Sequence, residues 1–179
     1  VKAARRAIPN TGGVAIFLAV ALPFLAALLL AGGDPGTWPG WLEPLKEHAA
    51  GLVEMRPVGW ALLACLVSVH ALGLIDDRRP LPALLKLAVL LVVAAIPPLF
   101  TDTRLLTAAD AYVGGPWLSV VVTVLWIALV TNAMNFLDNM DGLSAGVGAV
   151  AAGCFLAATL VSGQWFIAAT LALMLGGLV

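Results

Sequence analysis

Five apolar stretches of roughly membrane-spanning length recur along this chain, and that repetition limits the fold more than any other feature. A helix needs about 20 mostly apolar residues to cross a bilayer. The runs fall at about Gly13–Leu30, Val58–Ile75, Ala83–Leu99, Trp117–Met134 and Ser144–Val161, and a sixth begins at Trp165 and is cut short at Val179. Backbone polar groups in hydrocarbon must bond within their own segment, so runs of this length predict helices. The expected fold is therefore all-α: a polytopic transmembrane bundle, five full spans plus a truncated sixth, forming a single domain over residues 1–179. The chain starts at Val1 and ends inside an apolar run, as expected for the N-terminal part of a longer membrane enzyme.

Composition agrees with that reading. The chain is 62% hydrophobic and 11% charged, with a mean hydropathy of +1.05. A soluble domain carries about a quarter charged residues. A net charge of -1 gives no field to attract nucleic acid. Cys65 and Cys154 both lie inside apolar runs and read as small reduced hydrophobes.

The connections set the orientation. Segments on the N-terminal side hold Lys2, Arg5, Arg6, Arg78, Arg79 and Lys86, and those on the other side hold Lys46, Arg56 and Arg104. The excess of basic residues places the N-terminus in the cytosol. Trp38 and Trp41 in the long connection from Gly33 to Pro57 read as interface anchors. Asp102 and Asp110 fall on the outer side and are expected to matter little to chemistry on the cytosolic face.

Two acidic clusters stand out at the cytosolic ends of spans. Charge at the edge of a bilayer is costly and tends to be kept for a purpose. Asp76-Asp77 closes the second run. The pair could be solvated acids paired with Arg78-Arg79, or ligands for a metal and a substrate; the residues alone leave both open. The second cluster is more specific. Asn132, Asn135, Asp138 and Asp141 recur every third residue, which makes one slowly winding polar stripe on a helix. Such a stripe should face protein or a water-filled cleft. Gly142 suits a helix break. Thr11-Gly12-Gly13 opens the first span and would present backbone N–H groups to an anion. Lys86 could snorkel to the interface or reach a phosphate. His70 shares a helix face with Asp77 and reads as a buried, hydrogen-bonded histidine.

Three segments occur in an ordered set: Pro9-Asn10-Thr11-Gly12-Gly13-Val14-Ala15-Ile16, Gly73-Leu74-Ile75-Asp76-Asp77, and Asn132 through Leu143, which reads NAMNFLDNMDGL. Together they resemble the polyprenyl-phosphate N-acetylhexosamine-1-phosphate transferases, the family that includes the MraY and WecA enzymes. The resemblance implies a Mg²⁺-dependent (or Mn²⁺-dependent) transfer of N-acetylhexosamine-1-phosphate from a UDP-sugar, UDP-GlcNAc by preference, to undecaprenyl phosphate, with release of UMP. It implies that Asp76, Asp77, Asp138 and Asp141 form the catalytic and metal-binding set. Asn135, Lys86, Thr11, Gly12 and Gly13 would bind substrate. It further implies a multi-pass inner-membrane enzyme with a cytosolic active site, and leaves a homodimer open. Asn139 stands where the family usually has glycine, and the family's later cytosolic motifs are missing, so this segment by itself is expected to be inactive. The alternative is an ion-coupled transporter or channel using the acidic stripe. Transporters place such groups near the midplane, whereas these aspartates lie at span ends.

Overall fold

The structure is a computed structural model that describes residues 12–138 and 142–178. Thr11, Asn139 and Asp141, and the basic residues Lys2, Arg5 and Arg6, lie outside the described residues. Among the described residues the secondary structure is helical, without strands. The helices are α1 (Gly12–Leu30), α2 (Ala49–Glu54), α3 (Arg56–Arg78), α4 (Ala83–Ala94), α5 (Ile96–Phe100), α6 (Asp110–Val113), α7 (Trp117–Leu137), α8 (Leu143–Val161) and α9 (Trp165–Leu178). Five spans are long and apolar enough to cross a membrane: α1, α3, the α4–α5 pair, α7 and α8. The predicted all-α bundle is what forms, and α9 is the shorter sixth. Span boundaries move little. The main change is in α3, which runs on to Arg78, so Asp76-Asp77 sit within its last turn.

The long helices close a ring. α1 packs against α3 and α9, α3 against α4 and α5, α4 against α7, α7 against α8, and α8 against α9. Large apolar side chains such as Leu84, Val92, Val150 and Val161 point outward, a surface that lipid would cover. Small residues let the ring tighten. Gly59 on α3 is buried. A Cβ there would collide with the Leu28 side chain of α1 and come within 3.3 Å of Phe166 Cζ on α9. Gly59→Val is therefore expected to destabilise the protein by about 1–3 kcal/mol through overpacking. The check is thermal unfolding in detergent beside Gly153→Ala, where nothing lies within 4 Å of the added carbon.

The third span is not one unbroken helix. α4 ends at Ala94, and Ala95 links it to α5, which holds Pro97 and Pro98. Pro97 has no N–H to give the Val93 carbonyl one turn earlier. Cys65 Sγ on α3 lies 3.5 Å from that oxygen and donates to it instead. A neighbouring helix thus supplies the bond the proline removes. Both cysteines are free thiols.

The connection after α1 folds back over the helix end in a 3₁₀ stretch, Gly40–His48, followed by α2. Trp38, Leu42 and Ala49 make a small core against Leu30 and Leu52. This corrects the reading of Trp38 as an interface anchor: it is 7% exposed, whereas Trp41 is 77% exposed and free to play that part. His70 also differs from expectation. Its ring is half-buried and stacks flat on Phe17, with centroids 4.1 Å apart and planes 4° apart.

At this same end, the loop before α7 is tied by Arg104. Its Nη1 donates to Asp110 Oδ2 at 2.8 Å and to Ser119 Oγ at 2.9 Å. Ser119 is fully buried. The Leu105 N–H donates to Thr123 Oγ1 at 2.8 Å. Asp110 has a structural task that the residues alone did not show: through Arg104 its carboxylate anchors the loop to the α7 start. Asp102, by contrast, is 93% exposed and 3.4 Å from Arg104.

A polar cleft at one end of the helix ring

Three helices converge on a cleft of about 630 Å³ at the end of the ring opposite Arg104. The last turns of α3 supply Gly73, Asp76 and Asp77, spaced i, i+3 and i+4 and so on one face. The start of α4 supplies Ala83, Lys86 and Leu87. The last turns of α7 supply Thr131, Asn132, Asn135 and Phe136, and Asp138 caps that helix. The two acidic clusters, separated by some sixty residues of sequence, therefore meet in one cleft. The three-residue stripe predicted on α7 holds for Asn132, Asn135 and Asp138, all of which line the cleft. Gly142 breaks the chain as expected: its φ is +75°, a left-handed conformation, and α8 starts after it.

The Asp76-Asp77 pair splits. Asp76 Oδ2 accepts from Lys86 Nζ at 2.8 Å, and Asp76 Oδ1 accepts from the Leu81 N–H at 2.8 Å. Leu81 stands between Pro80 and Pro82, so its N–H is the single donor of those three residues. Asp77 is exposed and makes no hydrogen bond or ion pair with the described residues. Arg78 does not pair with either acid; its Nη1 donates to the Leu74 carbonyl of its own helix at 3.4 Å. The option of two solvated acids paired with Arg78-Arg79 is therefore not what forms. Lys86 does not simply snorkel, because Asp76 holds it.

Gly12 and Gly13 start α1 as expected, and Gly13 is not among the residues that line the cleft. Thr11 and Asp141, also expected at the site, fall outside the described residues. Sequence reasoning passed over Thr131, Phe136 and the Leu81 amide. The Asp76–Lys86 pair had a faint signal: an acid and a lysine ten residues apart on either side of a proline-rich turn.

The residues suit a hard cation. Mg²⁺ takes oxygen ligands and is commonly held by one or two carboxylates together with substrate phosphates. Asp77 and Asp138 offer two carboxylates to the cleft, which Asn132 and Asn135 also line. Among the described residues no group of three or more carboxylate, histidine or cysteine side chains is gathered closely enough to hold a metal by itself.

Beyond the cleft lies an apolar cavity of about 390 Å³ inside the ring. Val69, Leu90 and Thr131 belong to both walls, so polar cleft and apolar cavity adjoin.

Residues 59–179 match the family model described as glycosyl transferase family 4. A phospho-N-acetylmuramoyl-pentapeptide-transferase of Desulforudis audaxviator is 31% identical over 96% of this chain and 52% of its own length. A decaprenyl-phosphate N-acetylglucosaminephosphotransferase of Mycolicibacterium smegmatis is 30% identical over 80% of this chain and 33% of its own. A probable undecaprenyl-phosphate N-acetylglucosaminyl 1-phosphate transferase of Bacillus subtilis is 28% identical over 80% of this chain and 34% of its own. The chain thus spans about a third to a half of these relatives. No solved structure gives a significant match.

Proposed function

The chain belongs to glycosyl transferase family 4, and from that premise we propose that it forms part of an enzyme transferring N-acetylhexosamine-1-phosphate from a UDP-sugar to undecaprenyl phosphate. The observation that carries the proposal is the meeting of Asp77, Asp138, Asn135 and Lys86 in one cleft at the end of a membrane bundle. An ion path would need ionisable groups towards the midplane. The cavity that continues inward from this cleft is lined by apolar residues such as Phe24, Leu66 and Val93, with Thr131 and Thr170 as its only hydroxyls among the described residues. That favours the enzyme over the transporter.

In the proposed reaction an oxygen of the lipid phosphate attacks the phosphorus that carries the sugar. The bond from that phosphorus to the bridging oxygen breaks, and UMP leaves with the electron pair. The protein's task is placement and charge compensation, since a phosphate oxygen is already a nucleophile near neutral pH. Lys86 meets a phosphate. Asp77 and Asp138 would hold Mg²⁺, with Asp141 proposed as a further ligand, and Asn135 would support the nucleotide side. When bound, the metal neutralises phosphate charge that would otherwise oppose the attack. The cleft end faces the cytosol of the inner membrane in this reading, which follows the basic-residue asymmetry.

UDP-GlcNAc is the proposed donor. The relatives' names divide between N-acetylglucosamine phosphate and phospho-N-acetylmuramoyl-pentapeptide, so both donors belong in the test. The full-length protein, purified with undecaprenyl phosphate and Mg²⁺, should form a lipid-linked sugar with UDP-GlcNAc and lose that activity in EDTA. Product from the muramoyl-pentapeptide donor alone would overturn the choice of sugar. Absence of product from either donor would overturn the reaction.

A further inference from the structure

Asp76 and Asp77 are neighbours in sequence with opposite surroundings. We propose that Asp76 is a positioning residue that holds the Lys86 ammonium at the wall of the cleft, leaving Asp77 as the member of the pair that meets metal and phosphate. The proposal rests on the transfer reading of the cleft for its kinetic consequences, and on geometry alone for the pairing.

Both Asp76 oxygens already accept a hydrogen bond. Oδ1 accepts from the one N–H that the Pro80-Leu81-Pro82 turn can offer, and Oδ2 accepts from Lys86 Nζ. The first bond fixes the turn between α3 and α4. The second fixes a side chain that would otherwise wander. A free lysine carries about 2 kcal/mol of rotamer entropy, and at a membrane edge its head would swing out to water. Asp76 holds it over the cleft, with the Lys86 side chain still 41% exposed. An ammonium has three donors. One goes to Asp76 and two remain, so Lys86 can take a phosphate oxygen without leaving its partner. Asp77, exposed and unpartnered among the described residues, keeps all its lone pairs for ligands.

A direct role for Asp76 as metal ligand, through the lone pairs its two hydrogen bonds leave open, would instead appear in kcat. A double-mutant cycle on the full-length enzyme separates the two. Asp76→Asn keeps a carbonyl oxygen for the Leu81 N–H, so the turn should survive. Losing a charge-assisted hold on a substrate-binding lysine should raise KM for the phosphorylated substrate about tenfold, with kcat changed by less than about threefold. Lys86→Met should do the same, and the double variant should be no worse than Lys86→Met. A hundredfold fall in kcat for Asp76→Asn, or losses that multiply in the double variant, would overturn the proposal.

A second readout does not depend on activity. Lys86 in the purified protein should be acylated several-fold faster by a water-soluble amine reagent in Asp76→Asn than in the parent, measured by peptide mass spectrometry. Equal rates would overturn the pairing. If the parent protein makes no lipid-linked sugar, the transfer reading fails while the labelling still decides whether Asp76 holds Lys86.

Discussion

Asp77→Asn in the full-length protein is expected to lower sugar-phosphate transfer by about two to three orders of magnitude while leaving the fold intact. The amide keeps the size of the carboxylate and removes its charge. Asp77 bonds to none of the described residues, so no structural partner is lost. The loss should fall on kcat, because the charge acts on metal and phosphate during transfer rather than on a resting contact. Asp138→Asn should behave similarly, since Asp138 lines the same cleft. The measurement is the initial rate of lipid-linked product at saturating UDP-sugar, with thermal unfolding as the control for folding. Near-parental rates in both variants would remove the enzyme reading and revive the transporter. The contrast with Asp76→Asn, whose effect should appear in KM, makes the adjacent pair its own internal comparison.

The largest effect on stability is expected at the other end of the ring. Arg104→Met should destabilise the protein by about 3 kcal/mol, because breaking a mostly buried ion pair strands the remaining charge. The Arg104 and Asp110 side chains are 16% and 19% exposed. Removing the guanidinium leaves the Asp110 carboxylate and the buried Ser119 hydroxyl without their shared donor. Asp110→Asn should cost less, since the amide oxygen can still accept from Arg104. Asp102→Asn should cost little, as an exposed pair contributes about 0–1 kcal/mol. Thermal unfolding in detergent of the three variants checks the order. Transfer per folded molecule should stay unchanged in all three, because the cleft lies at the opposite end of the bundle. An Arg104→Met protein as stable as its parent would show that the network contributes nothing.

Much of this arrangement was legible in the residues. The spans could be read because the hydrophobic requirement of a bilayer acts on each segment by itself. The acidic ends could be read because charge is conspicuous in such a chain, and the i, i+3 stripe of Asn132, Asn135 and Asp138 follows from helix geometry alone. Alternating hairpins then put Asp77 and Asp138 at the same end, and the cleft that joins them agrees.

Other features depended on which helices touch. Trp38 reads as an interface residue in isolation, yet the fold-back of Gly40–His48 buries it. Asp110 reads as a loop acid, yet Arg104 reaches it and Ser119 together. Gly13 reads as part of the phosphate site, yet it is not among the residues that line the cleft.

The sequence by itself determined a helical membrane bundle with its acidic clusters at one end, because transfer into lipid and helical periodicity are local properties. Only the tertiary structure decided that Asp76 is bound and Asp77 open. Both are carboxylates at the end of one helix, and nothing within that helix tells them apart. The difference comes from the turn at Pro80-Leu81-Pro82, which brings one N–H and the Lys86 ammonium to Asp76 and neither to Asp77.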